Sequence, residues 1–495
     1  MNIQPTVIQG GMGIAVSNWR LARAVSKLGQ LGVVSGTALD QVLARRLQDG
    51  DPDGQMRHAL NHFPFPEMAE RIWDTYFIPG GKRADQAYKR LPMHVKDDAR
   101  EMQELCIVAN FVEVFLAREG HTNPIGINYL EKVQIPHLPS IYGAMLAGAL
   151  YVLMGAGIPL KIPGVLDSFV NHEAASYPMQ VTPAESALAT EPPDATLTFA
   201  PRDFMTRDLP PLERPKFLAI IASNTLATTM VKKANGRVDG FIVEGPTAGG
   251  HNAPPRGKLQ LTETGEPVYG ERDAVNLGEL RKLELPFWLA GGFGNPAKLR
   301  EALEMGAAGI QVGTAFAFCE ESGLAEEYKQ TILHDVKNGT AQVVTDPLAS
   351  PTSFPFKVVQ VAGSLSDQDV YDARPRICDL GYLREAYVTP EGTIGYRCAG
   401  EPENVYIGKG GKPDNMAGRK CLCNALLANI GLPQTRNNTY KEQALITAGN
   451  DLNELSALLP EHGVSYSAED VVGYLVEGRN TNTQDKKCTR DVLVD

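Results

Sequence analysis

The chain lacks an excess of positive charge: 47 Lys plus Arg stand against 58 Asp plus Glu, a net charge of −11. A surface that acidic offers no electrostatic footprint for nucleic acid or an anionic membrane. The opening Met-Asn-Ile-Gln-Pro lacks the basic and apolar regions of a secretory signal, so none is expected. The most apolar run, Tyr142 to Leu160, is interrupted by four glycines and Pro159, which argues for core rather than a membrane span. No repeat of solenoid period is present. His172-Glu173 has no second histidine four residues on, which excludes a zincin helix. The seven cysteines (106, 319, 378, 398, 421, 423 and 488) are odd in number and scattered, as expected of reduced thiols in a cytoplasmic protein. Four of them fall between Cys378 and Cys423. A zinc or iron–sulfur site is the functional reading of that cluster. The spacing fits neither a zinc ribbon nor a ferredoxin pattern, so buried or surface thiols and no metal are expected.

What is present is ordinary globular composition, 43% hydrophobic and 21% charged, in 495 residues. That length suffices for one large domain, or a barrel with an appendage. The organising stretch is Gly240 to Pro254, GFIVEGPTAGGHNAP. The apolar Phe241, Ile242 and Val243 read as a buried strand, followed at once by Glu244, Gly249, Gly250 and His251. A buried parallel strand ending in a glycine pair and a histidine carries an imidazole to the strand's carboxyl end, where α/β folds bind ligands. Two glycines let a flat ligand approach the backbone, and the imidazole is a candidate acid/base. The alternative for His251 is a plain core histidine.

The remaining strands follow the same rhythm. Thr6–Gln9 runs into Gly10-Gly11-Met12-Gly13, and Ser17 is expected to cap a helix through Leu28. Leu31–Gly36 completes a βαβ opening. Helical patterns fill 39–47, 55–59, 66–76 and 97–118 with no strand between them, a helical insertion of about residues 37–120 or a long crossover. Strands are expected at 125–130, 151–154, 217–222, 287–290 and 309–312, with a further edge strand at 197–199. About eight strands alternating with helices predict a (β/α)8 TIM barrel over residues 1–320. Beyond it lies a C-terminal helical or irregular extension, 321–495, packed on the barrel. Its 345–356 segment reads as extended and proline-stiffened. Lys409-Gly410-Gly411-Lys412 has no buried strand before it and is too weak for a phosphate loop. The last fifteen residues are polar and expected to fray.

Three strand ends carry glycines: GPTAGGH, LAGGFGNP and QVGTAF. The last two are spaced like the final βα units of a barrel, whose loops bind phosphate through bare amides. Gly291, Gly292 and Gly313 leave such donors unshielded, and Thr314 adds a hydroxyl. The alternative is that these glycines only make tight turns.

Taken together, Ile8-Gln-Gly-Gly-Met-Gly13, Gly126-Ile-Asn128, Ala248-Gly-Gly-His251, Leu289-Ala-Gly-Gly292 and the Gly306–Thr314 segment resemble the nitronate monooxygenase family, also called 2-nitropropane dioxygenases. These are FMN enzymes built on a TIM barrel. The resemblance covers residues 1 to about 320 apart from the insertion. It implies that the Gly10, Gly11 and Met12 backbone and Asn128 contact the flavin. It also implies that Gly291, Gly292, Gly313 and Thr314 hold the FMN phosphate, and that His251 is the catalytic histidine. Glu244, Gly249 and Gly250 are expected beside the cofactor. Lys161, after Gly157-Ile-Pro-Leu, is either a partner for the flavin N1/O2 edge or a solvated lysine.

The implied activity is oxidation of alkyl nitronates by O2 through the flavin. This chain has Glu244 where nitronate enzymes usually have Gln, and Thr247 where they have an acidic residue. After the histidine it continues Asn252-Ala-Pro-Pro-Arg256-Gly257 rather than Arg-Gly. The Val-Glu-x-x-x-x-Gly-Gly-His form is more similar to the flavin enoyl reductase component of polyunsaturated fatty-acid synthases. An NAD(P)H-dependent enoyl-thioester or quinone reductase on the same barrel is therefore the alternative. Small-molecule substrates with O2 or NAD(P)H are the expected partners, without nucleic acid or membrane, in a possible homo-oligomer.

Overall fold

The computed structural model describes residues 4–183 and 193–479; the polar last fifteen residues and Cys488 lie outside the described part. Eight parallel strands form one sheet. They are β1 (Val7–Gln9), β2 (Gly32–Ser35), β3 (Ile125–Leu130), β4 (Tyr151–Gly155), β5 (Lys216–Ile221), β6 (Gly240–Glu244), β7 (Phe287–Ala290) and β8 (Gly309–Val312). Each pairs with its neighbour in chain order, and β8 returns to β1 with Ile8 opposite Gln311. The last seam, between β1 and β2, is made by Gln9 N–H donating to Leu31 O (2.9 Å) and Leu31 N–H to Val7 O (3.1 Å). The Gln9 side chain reinforces it, its Oε1 accepting from Val33 N–H at 3.0 Å. The expected barrel is thus present.

Strand periodicity decides what fills it. Ile8, Val33, Leu153, Leu218, Ile242 and Trp288 pack together in one cluster inside the barrel. Their chain neighbours Val7, Val34, Val152, Phe217, Phe241 and Phe287 join the larger cluster beneath the surrounding helices. Both faces are apolar, as a fully buried parallel sheet requires. Trp288 finds a partner for its indole N–H in Pro5 O at 2.8 Å.

Helices Leu39–Gln48, Gln55–Asn61, Pro66–Tyr76 and Arg100–Arg118 follow β2 without a strand, as the sequence pattern predicts. Two details differ. Asn18, not Ser17, caps the first helix, its side chain accepting from Leu21 N–H. Ser17 is instead drawn into the glycine loop below. The 197–199 strand forms, but pairs antiparallel with Ala175–Pro178 outside the barrel. Its alternating exposed and buried residues suit a surface ribbon and not a two-faced core strand.

The extension past residue 320 is folded against both barrel and insertion. Strands Val343–Asp346 and Phe356–Val359 pair antiparallel, with the proline-rich segment as their connection. Tyr382 donates to Asp40 Oδ2 (2.5 Å), Arg45 to Leu432 O (2.6 Å), and Tyr88 N–H to Gln434 Oε1 (2.8 Å). Insertion and extension thus hold each other over one side of the barrel.

Close packing at the start of β2 is testable. A Cβ on Gly32 would stand 1.9 Å from Ala22 O, so a helix backbone lies where any side chain would go. Gly32→Ala should cost about 1–3 kcal/mol of stability, read by denaturant unfolding; an unchanged midpoint would contradict this packing.

Candidate active site

All eight strands deliver their carboxyl ends to one rim, and a cavity of about 240 Å³ opens there. It is lined by every residue expected from the sequence except one: Gly10, Gly11, Met12, Asn128, Glu244, Gly249, Gly250, His251, Gly291, Gly292, Gly313 and Thr314. Lys161 is not brought to the cavity. The chain turns outward after β4, and Lys161 becomes the exposed residue before helix Ile162–Val170.

At β1, Ser17 Oγ donates to Gly10 O (2.7 Å) and accepts from Met12 N–H (2.9 Å), pinning the glycine loop from below. The loop lies flat on Asn128, since a Cβ on Gly11 would fall 2.4 Å from Asn128 Cβ. At β6, Glu244 faces the cavity and burial pushes its carboxyl up to about 7. No neighbouring charge offsets that penalty, so the neutral acid persists towards neutral pH.

The GGH loop is held from above by the extension. Gly250 N–H donates to Thr447 Oγ1 (2.7 Å). Lys357 N–H donates to Gly250 O (3.0 Å) and Asn252 N–H to Pro355 O (2.9 Å). Gly250 adopts φ +76°, a conformation that favours glycine. His251 then sits edge-on to Phe356, with ring centroids 4.8 Å apart. Its Nε2 is 2.7 Å from Ser350 Oγ. Burial, aided by the nearby Lys132 charge, lowers its pKa to about 4, so the imidazole is neutral at physiological pH.

At β7, Gly291 and Gly292 take φ +86° and +73°. A side chain on Gly291 would collide with Ala248 N at 2.9 Å, whereas one on Gly292 would meet only Thr247, its Oγ1 at 3.5 Å. At β8, Thr314 donates to Asp451 Oδ1 (2.8 Å) and accepts from Gly449 N–H (3.0 Å). The other Asp451 oxygen approaches the Gly294 backbone, 3.0 Å from where a Cβ would stand. Burial raises the Asp451 carboxyl above its ordinary value. A carboxyl therefore stands beside the expected phosphate cradle.

Sequence reasoning missed Ser350, Phe356, Thr447 and Asp451. All come from the extension and lie far along the chain from the strand ends they complete. Only the run from apolar Ala444-Leu-Ile446 into Thr447-Ala-Gly-Asn450 hinted at another buried turn.

Fold and site define a class: an α/β barrel with a glycine-lined, acid- and imidazole-bearing pocket at its carboxyl rim. Sequence comparison narrows it. Residues 205–348, from before β5 to beyond β8, match the family model described as nitronate monooxygenase. The nitronate monooxygenase of Pseudomonas aeruginosa is 28% identical over 246 residues, which are 50% of this chain and 62% of that protein. A probable nitronate monooxygenase of Bacillus subtilis is 32% identical over 134 residues, 26% of this chain and 37% of the relative. The chain therefore spans less than two thirds of the length of these relatives. Among solved structures, FabK from Thermotoga maritima covers 96% of this chain and 93% of its own, at 14% identity and TM-score 0.46. Nitroalkane oxidase from Streptomyces ansochromogenes covers 96% and 95%, at 13% identity and TM-score 0.46. The family match and the curated relatives bear out the resemblance to the nitronate monooxygenase family. Among the described residues, no helix is long and apolar enough to cross a membrane.

Glu244 gives a pH prediction. Its folded pKa of about 7 exceeds the ordinary 4.5, so the unfolded chain releases the proton first and stability falls as pH rises between those values. Glu244→Gln should match the parent near pH 4 and exceed it above pH 7, by at most about 3 kcal/mol. Parallel stability curves would refute the assignment.

Proposed function

We propose that the rim cavity holds FMN and that the protein is an FMN-dependent oxidoreductase of the nitronate monooxygenase type. The supporting observation is His251: a neutral imidazole, oriented by Ser350 and Phe356, at the edge of a cavity walled by glycine backbone. Gly10–Met12, Asn128, Gly249 and Gly250 would take the flat ring, and Gly291, Gly292, Gly313 and Thr314 the phosphate. The barrel ends near residue 320, and the extension supplies the lid that completes the site.

When bound, FMN supplies the electron-accepting chemistry, with O2 as the final acceptor. The protein's part is positional and protic. His251, unprotonated down to about pH 4, can take a proton from the carbon next to a nitro group or orient a nitronate already formed. Ser350 keeps the ring from turning, its hydroxyl accepting from or donating to Nε2 according to the tautomer. Phe356 and the hairpin over it exclude water.

Glu244 in place of the usual Gln favours a second reading, an enoyl-thioester or quinone reductase fed by NAD(P)H. A visible spectrum of the purified protein tests the cofactor; a colourless protein that refuses added FMN would sink both readings. Under nitrogen, bleaching by NAD(P)H supports the reductase, and bleaching by a nitronate alone supports the oxidase. His251→Ala should keep its FMN while losing about 10²–10⁴-fold in kcat; unchanged kcat removes the histidine from the chemistry.

Asp451 offers an independent check on the phosphate end. A carboxylate there opposes a phosphate dianion, so Asp451→Asn should tighten FMN binding at least about tenfold, with the gain shrinking at high salt. Weaker binding in that variant would place the phosphate elsewhere.

A further inference from the structure

The strongest feature outside the rim cavity lies in the extension. Cys378, Cys398, Cys421 and Cys423, scattered along the chain, all line one small cavity of about 10 Å³. Pro351, Leu380, Leu383 and Leu422 close it with apolar surface. Cys378 and Cys398 are in direct side-chain contact, and all four are free of disulfides. Buried cysteines scattered singly behave as small hydrophobes. Four lining one space of about the size of a single water or ion make a candidate ligand set.

Hydrogen-bond donors and cations lie around the sulfurs. Gly400 N–H donates to Cys398 Sγ at 3.4 Å, and Asn424 Nδ2 to Cys421 Sγ at 3.5 Å. The amides of Leu383 and Tyr382 reach Cys423. The guanidinium groups of Arg384 and Arg374 stand near Cys378 and Cys421, where they offset negative charge. N–H donors and cations around sulfur are the outer layer that orients metal-bound cysteines and compensates their charge.

The loops that carry the sulfurs are also held rigidly. Asp379, next to Cys378, accepts from Arg436 at 2.9 Å and from Asn424, next to Cys423, at 2.9 Å. Arg436 and Arg374 converge on the buried Glu442, at 2.6 Å and at 2.8 and 3.0 Å. This network ties Cys378 to the Cys421–Cys423 turn whether or not anything lies between the sulfurs. A buried ionic network is a poor source of net stability, but it fixes geometry well.

We propose that Cys378, Cys398, Cys421 and Cys423 are the four thiolate ligands of a soft-metal centre, zinc or an iron–sulfur cluster, built into the extension beside the rim cavity. Sulfur-only sets of four select these two kinds of centre. Leu383, Leu422 and Cys423 line both cavities, so a single layer of side chains separates the centre from the proposed flavin site. The same centre would hold Tyr382 and Leu383 in place against that site, and if it contains iron it would lie close enough to exchange electrons there. The spacing along the chain hid this set, because its members meet only through tertiary folding.

The test uses the full chain, purified under nitrogen, with zinc, iron and acid-labile sulfide measured per chain. Expected is either about one zinc without sulfide, or iron and sulfide in equal amounts. Replacing two ligands, in Cys398→Ser/Cys421→Ser, should cut the metal content at least about tenfold. In the parent protein, the four thiols should resist alkylation until a chelator is added, as read by mass spectrometry; this needs no variant to fold. A parent chain that stays metal-free after incubation with zinc, or with ferrous iron and sulfide, overturns the proposal. So does metal retained in the double variant, or a Cys378–Cys398 disulfide in the freshly purified protein.

Discussion

A parallel sheet has two raw edges until something joins them, and here two backbone hydrogen bonds between β1 and β2 do so. Every pair around the ring is parallel, so once that seam closes all strands point the same way. The eight carboxyl ends are gathered on one rim, and the glycines that follow β1, β6, β7 and β8 face a common space. The cavity, its bare backbone walls and the approach of the extension all depend on that closure. Gln9 serves it twice over, bracing the seam through Val33 N–H while donating to Ser17 Oγ (2.8 Å), which in turn holds the Gly10–Met12 loop.

The electrostatics of the rim follow from burial. Glu244 and Asp451 are shifted towards their neutral acids and His251 towards its neutral base, each with desolvation as the largest cause. Acids raised and a base lowered in one cavity are the mark of a dry site, where charge costs most. Such a site holds its acids and its base towards their neutral forms.

The extension is a structural part of the site. It clamps the GGH loop through Thr447, Pro355 and Lys357, and fixes His251 through Ser350 and Phe356. It is itself tied to the helical insertion through Asp40 and Tyr382, with His94 bonded to both Asp40 and Asp98. Lid, insertion and cysteine-lined cavity therefore form one connected body. Leu383, Leu422 and Cys423 line both the cysteine cavity and the rim cavity.

How much of this was legible beforehand depended on the range of the interactions. Phe241-Ile-Val243 and Phe287–Ala290 announce buried strands because periodicity is written in adjacent residues. The paired glycines and His251 announce a ligand-facing rim because strand ends in such barrels can point nowhere else. Lys161 misled because its place depends on which way one loop turns, and Ser17 because a polar residue before a helix can serve either the cap or the loop. Thr447 carries only the signature of the apolar run before it, and Ser350, Phe356 and Asp451 carry no local signature. Nor do the four cysteines, which share no spacing and meet only when the extension folds. Local pattern thus determined the barrel and its glycine rim, since each strand's burial is decided by its own side chains. Which residues close over that rim, and which sulfurs converge behind it, was decided only by tertiary structure, because those contacts join segments that sequence order keeps apart.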